Sequence, residues 1–130
     1  MSPGKPHTTL RLSALPKLFM IDLDGVVLRH NGHLVDNDAL LPGAERFWQH
    51  IRPQDVVVVL TSRPESWREQ SLSLLAANNL RVDSAIFGLP PGERVVINDR
   101  KPSGMSTAFG VNIDRDDGLA GIDVVIDNSL

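Results

Sequence analysis

The chain has no cysteine. Disulfides, zinc–thiolate centres and thiol nucleophiles are therefore excluded, and a reducing, cytoplasmic setting is expected. Neither sign of charge dominates: 13 Lys and Arg against 16 Asp and Glu leave a net charge of −3. That balance gives no electrostatic reason for binding nucleic acid or an anionic membrane. No segment approaches the roughly 18 consecutive apolar residues that would cross a bilayer. Residues 1–16 carry Lys5 and Arg11 but no long apolar run, so they do not read as a secretory signal. With Pro3, Gly4, Pro6 and Pro16 they are expected to form a flexible lead-in. Internal repeats, low-complexity tracts and linkers are also lacking, so residues 17–130 are expected to make a single domain.

What is there is a core. Hydrophobic residues make up 42% of the 130 positions, too many for a disordered chain. Leu18, Phe19, Met20 and Ile21 form a short apolar run that ends in Asp22, Leu23, Asp24 and Gly25. Such a run predicts a buried parallel strand. Residues 26–28 continue apolar, 29–32 signal a turn, and 33–35 return, which suggests a small β-hairpin. Ala44, Phe47, Trp48 and Ile51 have the spacing of an amphipathic helix, ended by Pro53. Four valines and a leucine at 56–60 make the strongest strand pattern, stopped by Thr61, Ser62, Arg63 and Pro64. A helix is expected from there to about Asn78. Weaker strands are expected at 84–87, 94–97 and 110–113, with a short helix within 102–109. Residues 122–126 read as a last strand or a packed C-terminal extension.

Strands alternating with helices predict a doubly wound, Rossmann-like α/β fold with a mainly parallel sheet. Ligands of such sheets bind beyond the carboxyl ends of the strands. Asp22, Asp24, Thr61 and Asp99 all fall at predicted strand ends, so three strands deliver polar groups to one edge.

Residues i and i+2 of an extended chain point the same way, so Asp22 and Asp24 share a side. Two carboxylates that close repel unless a cation sits between them. Mg²⁺ suits such a site because it prefers hard oxygen ligands and substrate phosphates. One carboxylate can then attack phosphorus while the other handles a proton. The competing account is a solvated turn after a strand. Thr61 and Ser62 can bind a phosphate oxygen or cap the next helix. Arg63 can clamp phosphate or sit in solvent. Asp99 can complete a metal site, with Asn98 as an accessory, or belong to an Asn–Asp turn. Lys101 can balance phosphate charge or be a surface lysine. His7, His30, His33 and His50 lack metal-like spacing. Asp114, Asp116 and Asp117 read as a solvated loop, and Trp48 and Trp67 as core.

The ordered set of a strand ending in Asp22-Leu23-Asp24-Gly25-Val26, a strand ending in Thr61-Ser62-Arg63 and a strand ending in Asn98-Asp99 resembles the haloacid dehalogenase (HAD) superfamily of phosphohydrolases. The resemblance spans about residues 18–113. It implies that Asp22 is a nucleophile forming an aspartyl-phosphate. It implies that Asp24 is the general acid/base, with its carbonyl on Mg²⁺, and that Thr61 binds phosphate. It makes Asp99 a metal-binding acid, so the implied metal set is Asp22, Asp24 and Asp99. The family's basic third motif is out of place: Arg94 opens a predicted strand, which leaves Lys101 as the expected substitute. Gly25 to Asp55 and Thr61 to Asp99 leave no room for a cap domain, so a capless member is implied, with an open site. An open site implies a macromolecular substrate or a wall lent by another subunit, hence a homo-oligomer. A looser similarity to small capless members found with sugar-nucleotide and surface-polysaccharide enzymes tilts the expected substrate to a small phosphorylated metabolite, a sugar phosphate. The alternative is a catalytically degenerate binding or regulatory protein on the same scaffold. A receiver-type phospho-acceptor fits worse, because its acceptor follows the third strand whereas here the paired acids come first.

Overall fold

The structure, a computed structural model, describes residues 7–130. The first six residues of the expected lead-in lie outside that range. The chain is an α/β fold with parallel strands in two small sheets. In chain order the elements are β1 (Thr8–Leu12), β2 (Leu18–Asp22), α1 (Ala44–Trp48), β3 (Val56–Leu60), α2 (Arg68–Ala77), β4 (Ser84–Ile86) and β5 (Ile122–Ile126). Single 3-10 turns stand at Gly32–Leu34 and Glu65–Trp67.

One sheet has the order β2-β3-β4, all parallel, with Asp22 level with Leu60 and Leu60 level with Ile86. Parallel neighbours need a crossover, and right-handed crossovers put α1 and α2 on one face of this sheet. The buried cluster agrees: Ile21, Val57 and Val59 pack with Ala44, Phe47 and Trp48 of α1 and Leu75 of α2. Val57 and Val59 are fully buried, each contributing roughly 1.5–3 kcal/mol relative to an exposed side chain. Phe19 meets the Phe47 ring edge-on at 6.0 Å. Leu18, Met20, Val56 and Ile86 alternate to the other face and are 45–56% exposed. Helical cover is thus confined to one face.

The other sheet pairs β1 with β5 in parallel, Thr8 opposite Ile122 and Leu12 opposite Ile126. Residues 8–12, expected within a loose lead-in, are therefore a strand. Their partner is 122–126, the stretch expected as a last strand, and only the pairing across the length of the chain was not foreseen. An Arg46–Asp123 ion pair ties α1 to β5. Two glycines bring the same regions together. Gly43 has φ +87°, and a Cβ there would lie 2.3 Å from the Ala120 nitrogen; a Cβ on Gly118 (φ +78°) would lie 2.2 Å from the Pro42 oxygen.

Four further expectations are corrected. The hairpin after β2 is a looped excursion with isolated bridges, Asp24 to Leu28 and Leu28 to Leu40. Residues 94–97 form no strand: Val95, Val96 and Ile97 are exposed, and the Arg94 guanidinium turns back to the carbonyls of Pro90 and Gly92. Residues 102–109 and 110–113 form neither helix nor strand. Strand propensity is realised only against a partner edge, and this stretch finds none. Among the described residues, no helix is long and apolar enough to cross a membrane.

Candidate active site

β2 ends at Asp22, and the chain stays extended for one more residue, because the Leu23 N–H donates to the Leu60 carbonyl at 2.9 Å. Leu23 is fully buried, so Asp22 and Asp24 flank an anchored residue. The chain then folds back tightly. Gly25 takes φ +81°, its N–H reaches the Leu28 carbonyl at 2.7 Å, and the Val27 and Leu28 N–H groups both reach the Leu23 carbonyl at 3.0 Å. Arg115 packs over this turn, 3.2 Å from where a Gly25 Cβ would be. Asp116, at φ +67°, pins it: its N–H donates to the Gly25 carbonyl at 2.9 Å, and its carboxylate accepts the His30 N–H at 2.8 Å. One member of the acidic cluster expected to be a solvated loop thus braces the site.

The two carboxylates have different surroundings. Both oxygens of Asp24 are engaged: Oδ2 accepts from the Thr61 hydroxyl at 2.8 Å, and Oδ1 accepts from Arg63 Nε at 2.9 Å. Thr61 is fully buried one residue beyond β3, and its oxygen also accepts the Arg63 N–H at 3.0 Å. The hydroxyl has one proton, and it is committed to Asp24. Arg63 is only 2% exposed. Its Nη1 and Nη2 take the two oxygens of Asp38 at 2.8 and 2.7 Å, and Nη1 also reaches Ser71 Oγ of α2 at 2.9 Å. Four of roughly five guanidinium donors are spent inside the protein. Burial alone would lower the Arg63 pKa; the hydrogen bonds it donates to Asp38 and Asp24 outweigh that and raise it. In this structure Arg63 is a clamp on two carboxylates, not on solvent-borne phosphate.

Asp22 has no such partners. Its side chain is 43% exposed, and the ion pair within reach is Arg94 Nη2 at 3.9 Å. Burial pushes its carboxyl pKa up; Arg94 and His30 pull against that, and the neighbouring Asp24 adds to it. The His33 ring stands edge-on to Trp67 at 4.7 Å. Burial and then the Arg63 charge hold the His33 pKa below the usual value, against the pull of Asp24 and Asp38. Trp67, expected in the core, is a half-buried wall for this histidine.

The structure brings Asp22, Asp24, Thr61 and Arg63 together, with Ser62 exposed at the same sheet edge. It does not bring Asn98, Asp99 or Lys101. Asp99 is exposed, with its N–H bonded to Asn98 Oδ1 at 3.1 Å, and Lys101 sits in a separate exposed turn closed on Met105. Among the described residues no three acids or histidines group to hold a metal. The cation facing Asp22 is Arg94, where Lys101 was expected. Asp38 was missed altogether; Asn37 and Asp38 look like any turn pair. The carboxylate that could take part in holding a divalent ion is Asp22, half-exposed with Arg94 3.9 Å away. Mg²⁺ commonly binds through one or two carboxylates, with water and substrate phosphate filling its shell.

Two shallow hollows of about 390 and 530 Å³ share Asn79, Leu80 and Arg81 and contain none of these acids. The site is an open strand edge. Comparison of the chain with protein-family models, with curated proteins and with solved structures finds no match.

Proposed function

We propose that the chain is a Mg²⁺-dependent phosphomonoesterase that works through an aspartyl-phosphate on Asp22. The observation that carries this is the unequal treatment of two neighbouring carboxylates: Asp24 is held by Thr61 and Arg63, while Asp22 is left open with a cation 3.9 Å away. A nucleophile must be reachable, and a proton carrier must be aimed. The ordered motifs that resemble the haloacid dehalogenase superfamily support the same division. In this reading β2, β3 and β4 with α1 and α2 are one half of a doubly wound, Rossmann-like domain of that type.

The steps follow from the residues. An Asp22 oxygen attacks phosphorus and displaces the ester oxygen, which takes its proton from Asp24. Water then attacks the phosphorylated Asp22 and gives its proton to Asp24, releasing phosphate. Arg94 balances charge on the phosphoryl oxygens, and the exposed Ser62 offers a hydroxyl to them. Asp22 and the Asp24 carbonyl would hold Mg²⁺, which would supply charge neutralisation there. The substrate class is a small phosphorylated metabolite; a sugar phosphate is favoured only by the similarity to capless members. The open edge fits a capless enzyme that borrows a wall from a second copy.

The test is p-nitrophenyl phosphate hydrolysis with and without Mg²⁺, for the native protein and Asp22→Asn. Metal-dependent turnover lost in the variant supports the reading. Turnover that survives Asp22→Asn sinks it. A second reading, a non-catalytic binding or regulatory protein, draws on the exposed Asp99 and the lack of a three-ligand group among the described residues. Phosphate-ester binding with no release above buffer would favour it.

A further inference from the structure

We infer that Asp38 is a positioning residue for Asp24, acting through the buried guanidinium of Arg63. This rests on the phosphotransfer reading above. Asp38 comes from the loop before α1, Asp24 from the end of β2, Arg63 from the turn after β3 and Ser71 from α2. Four separate segments therefore meet on one planar group. The exposures of the three charged side chains are 1% for Arg63, 15% for Asp24 and 12% for Asp38.

The geometry assigns the roles. Arg63 offers two edges to carboxylates: the fork of Nη1 and Nη2, and the side formed by Nε and one Nη. Asp38 takes the fork with both oxygens. The Ser71 hydroxyl fixes the same end. Asp24 takes Nε as a single bond, and the second Nη2 proton on that side is unspent because the other Asp24 oxygen is on Thr61. Asp24 is thereby shared between one Thr61 bond and one Arg63 bond, which leaves about two of its roughly four acceptor sites open.

Without Asp38 the balance changes. The guanidinium would turn to make a two-bond pair with Asp24, since bidentate pairing is the stronger arrangement. That would draw both Asp24 oxygens onto Arg63 and take them from the side where an ester oxygen leaves. Asp38 thus holds the plane of Arg63 from its fork end and keeps Asp24 aimed. The hold is strong because all three groups are largely buried, and charge-assisted bonds gain strength there.

The test uses a series of phosphate monoesters from p-nitrophenyl phosphate, whose leaving group needs no proton, to an alkyl phosphate, whose leaving group does. Asp38→Asn should lower kcat on the alkyl ester about tenfold more than on the aryl ester, with KM on both little moved, because general-acid help is worth about 10²–10⁴-fold and only its aim is disturbed. Asp38→Glu should recover part of the ratio. An equal loss on both esters means a merely structural role and overturns the inference. A second measurement does not depend on turnover. Asp38→Asn and Asp24→Asn are melted singly and together. Coupling through Arg63 predicts a combined change in Tm that departs from the sum of the single changes. Additive changes overturn the inference, even if the protein hydrolyses nothing. Failure of every ester in the native protein, with coupling intact, would instead sink the phosphatase reading alone.

Discussion

Replacing Arg63 with Met tests the centre of the site without touching its surface. Met keeps the length and most of the packing but removes the guanidinium, and with it four hydrogen bonds to Asp24, Asp38 and Ser71. Two carboxylates are left facing the gap. Breaking a buried ion pair from one side costs about 3–5 kcal/mol, because the remaining charge is stranded. Asp24 and Asp38 are 15% and 12% exposed, so water can reach them in part, and a loss near 3 kcal/mol is expected. Against a total stability of about 5–15 kcal/mol that is a large fraction. At this chain length it corresponds to a fall in Tm of roughly 10–15 °C. The assay is urea unfolding at pH 7, with the midpoint reduced and the slope m unchanged. Arg63→Lys, which keeps the charge but not the fork, should fall between. A loss under about 1 kcal/mol is what an exposed ion pair yields, and it would refute the buried clamp.

Asp22→Asn should abolish phosphate-ester turnover yet raise Tm by a few degrees at pH 7. The raised carboxyl pKa means that the ionised form weakens the fold; the benefit of the protonated form is complete below about pH 3.8 and lost as pH rises through the folded value, so the two proteins should converge in acid. Asp55→Ala should cost about 2–3 kcal/mol, since its buried carboxylate accepts the Lys17 N–H at 2.9 Å and the Arg52 N–H at 2.8 Å. Burial pushes the Asp55 pKa up, but those bonds bring it below the usual value, so its contribution is present above about pH 3.8 and fades as pH falls through the folded value; the variant should lack this limb in a Tm-against-pH profile. Gly43→Ala should lower Tm far more than Gly104→Ala: both have positive φ, but a Cβ at Gly43 meets the Ala120 backbone at 2.3 Å while one at Gly104 meets nothing within 4 Å.

The legible parts of the site were those carried by one strand and its neighbour. Leu18 to Ile21 and Val56 to Leu60 are apolar runs ending in polar groups, and parallel pairing in register sets such ends side by side. That is why Asp22, Asp24 and Thr61 could be grouped from the sequence alone. What each does was less legible. Thr61 was assigned to phosphate, yet its proton goes to Asp24, because a hydroxyl beside a carboxylate in a dry site bonds to the nearest charge. Arg63 was expected to clamp phosphate or to sit in solvent, yet it is buried on two carboxylates. Its burial depends on Asp38 and Ser71, from a loop and a helix that no local pattern connects to it. A buried arginine is predicted only when its acids are known, and the acids came from elsewhere.

The residues after Gly88 show the opposite case, in which a local pattern promises more than the fold delivers. Val95, Val96 and Ile97 have the composition of a strand, yet they are 79%, 54% and 92% exposed. β-propensity measures fit to a pleated, half-buried surface, so without a partner edge it has no effect. Once the strand is not made, its end is not placed, and Asn98, Asp99 and Lys101 follow it away from β2. Arg94 is different because its position does not depend on the strand. It lies two residues beyond Gly92, its guanidinium is held by the carbonyls of Pro90 and Gly92, and Nη2 still comes within 3.9 Å of Asp22. A turn locked by its own carbonyls can present a cation where an unpaired strand cannot. The cation opposite Asp22 is thus chosen by the Pro90–Gly92 turn, and its identity follows from local geometry that a motif-by-motif comparison passes over.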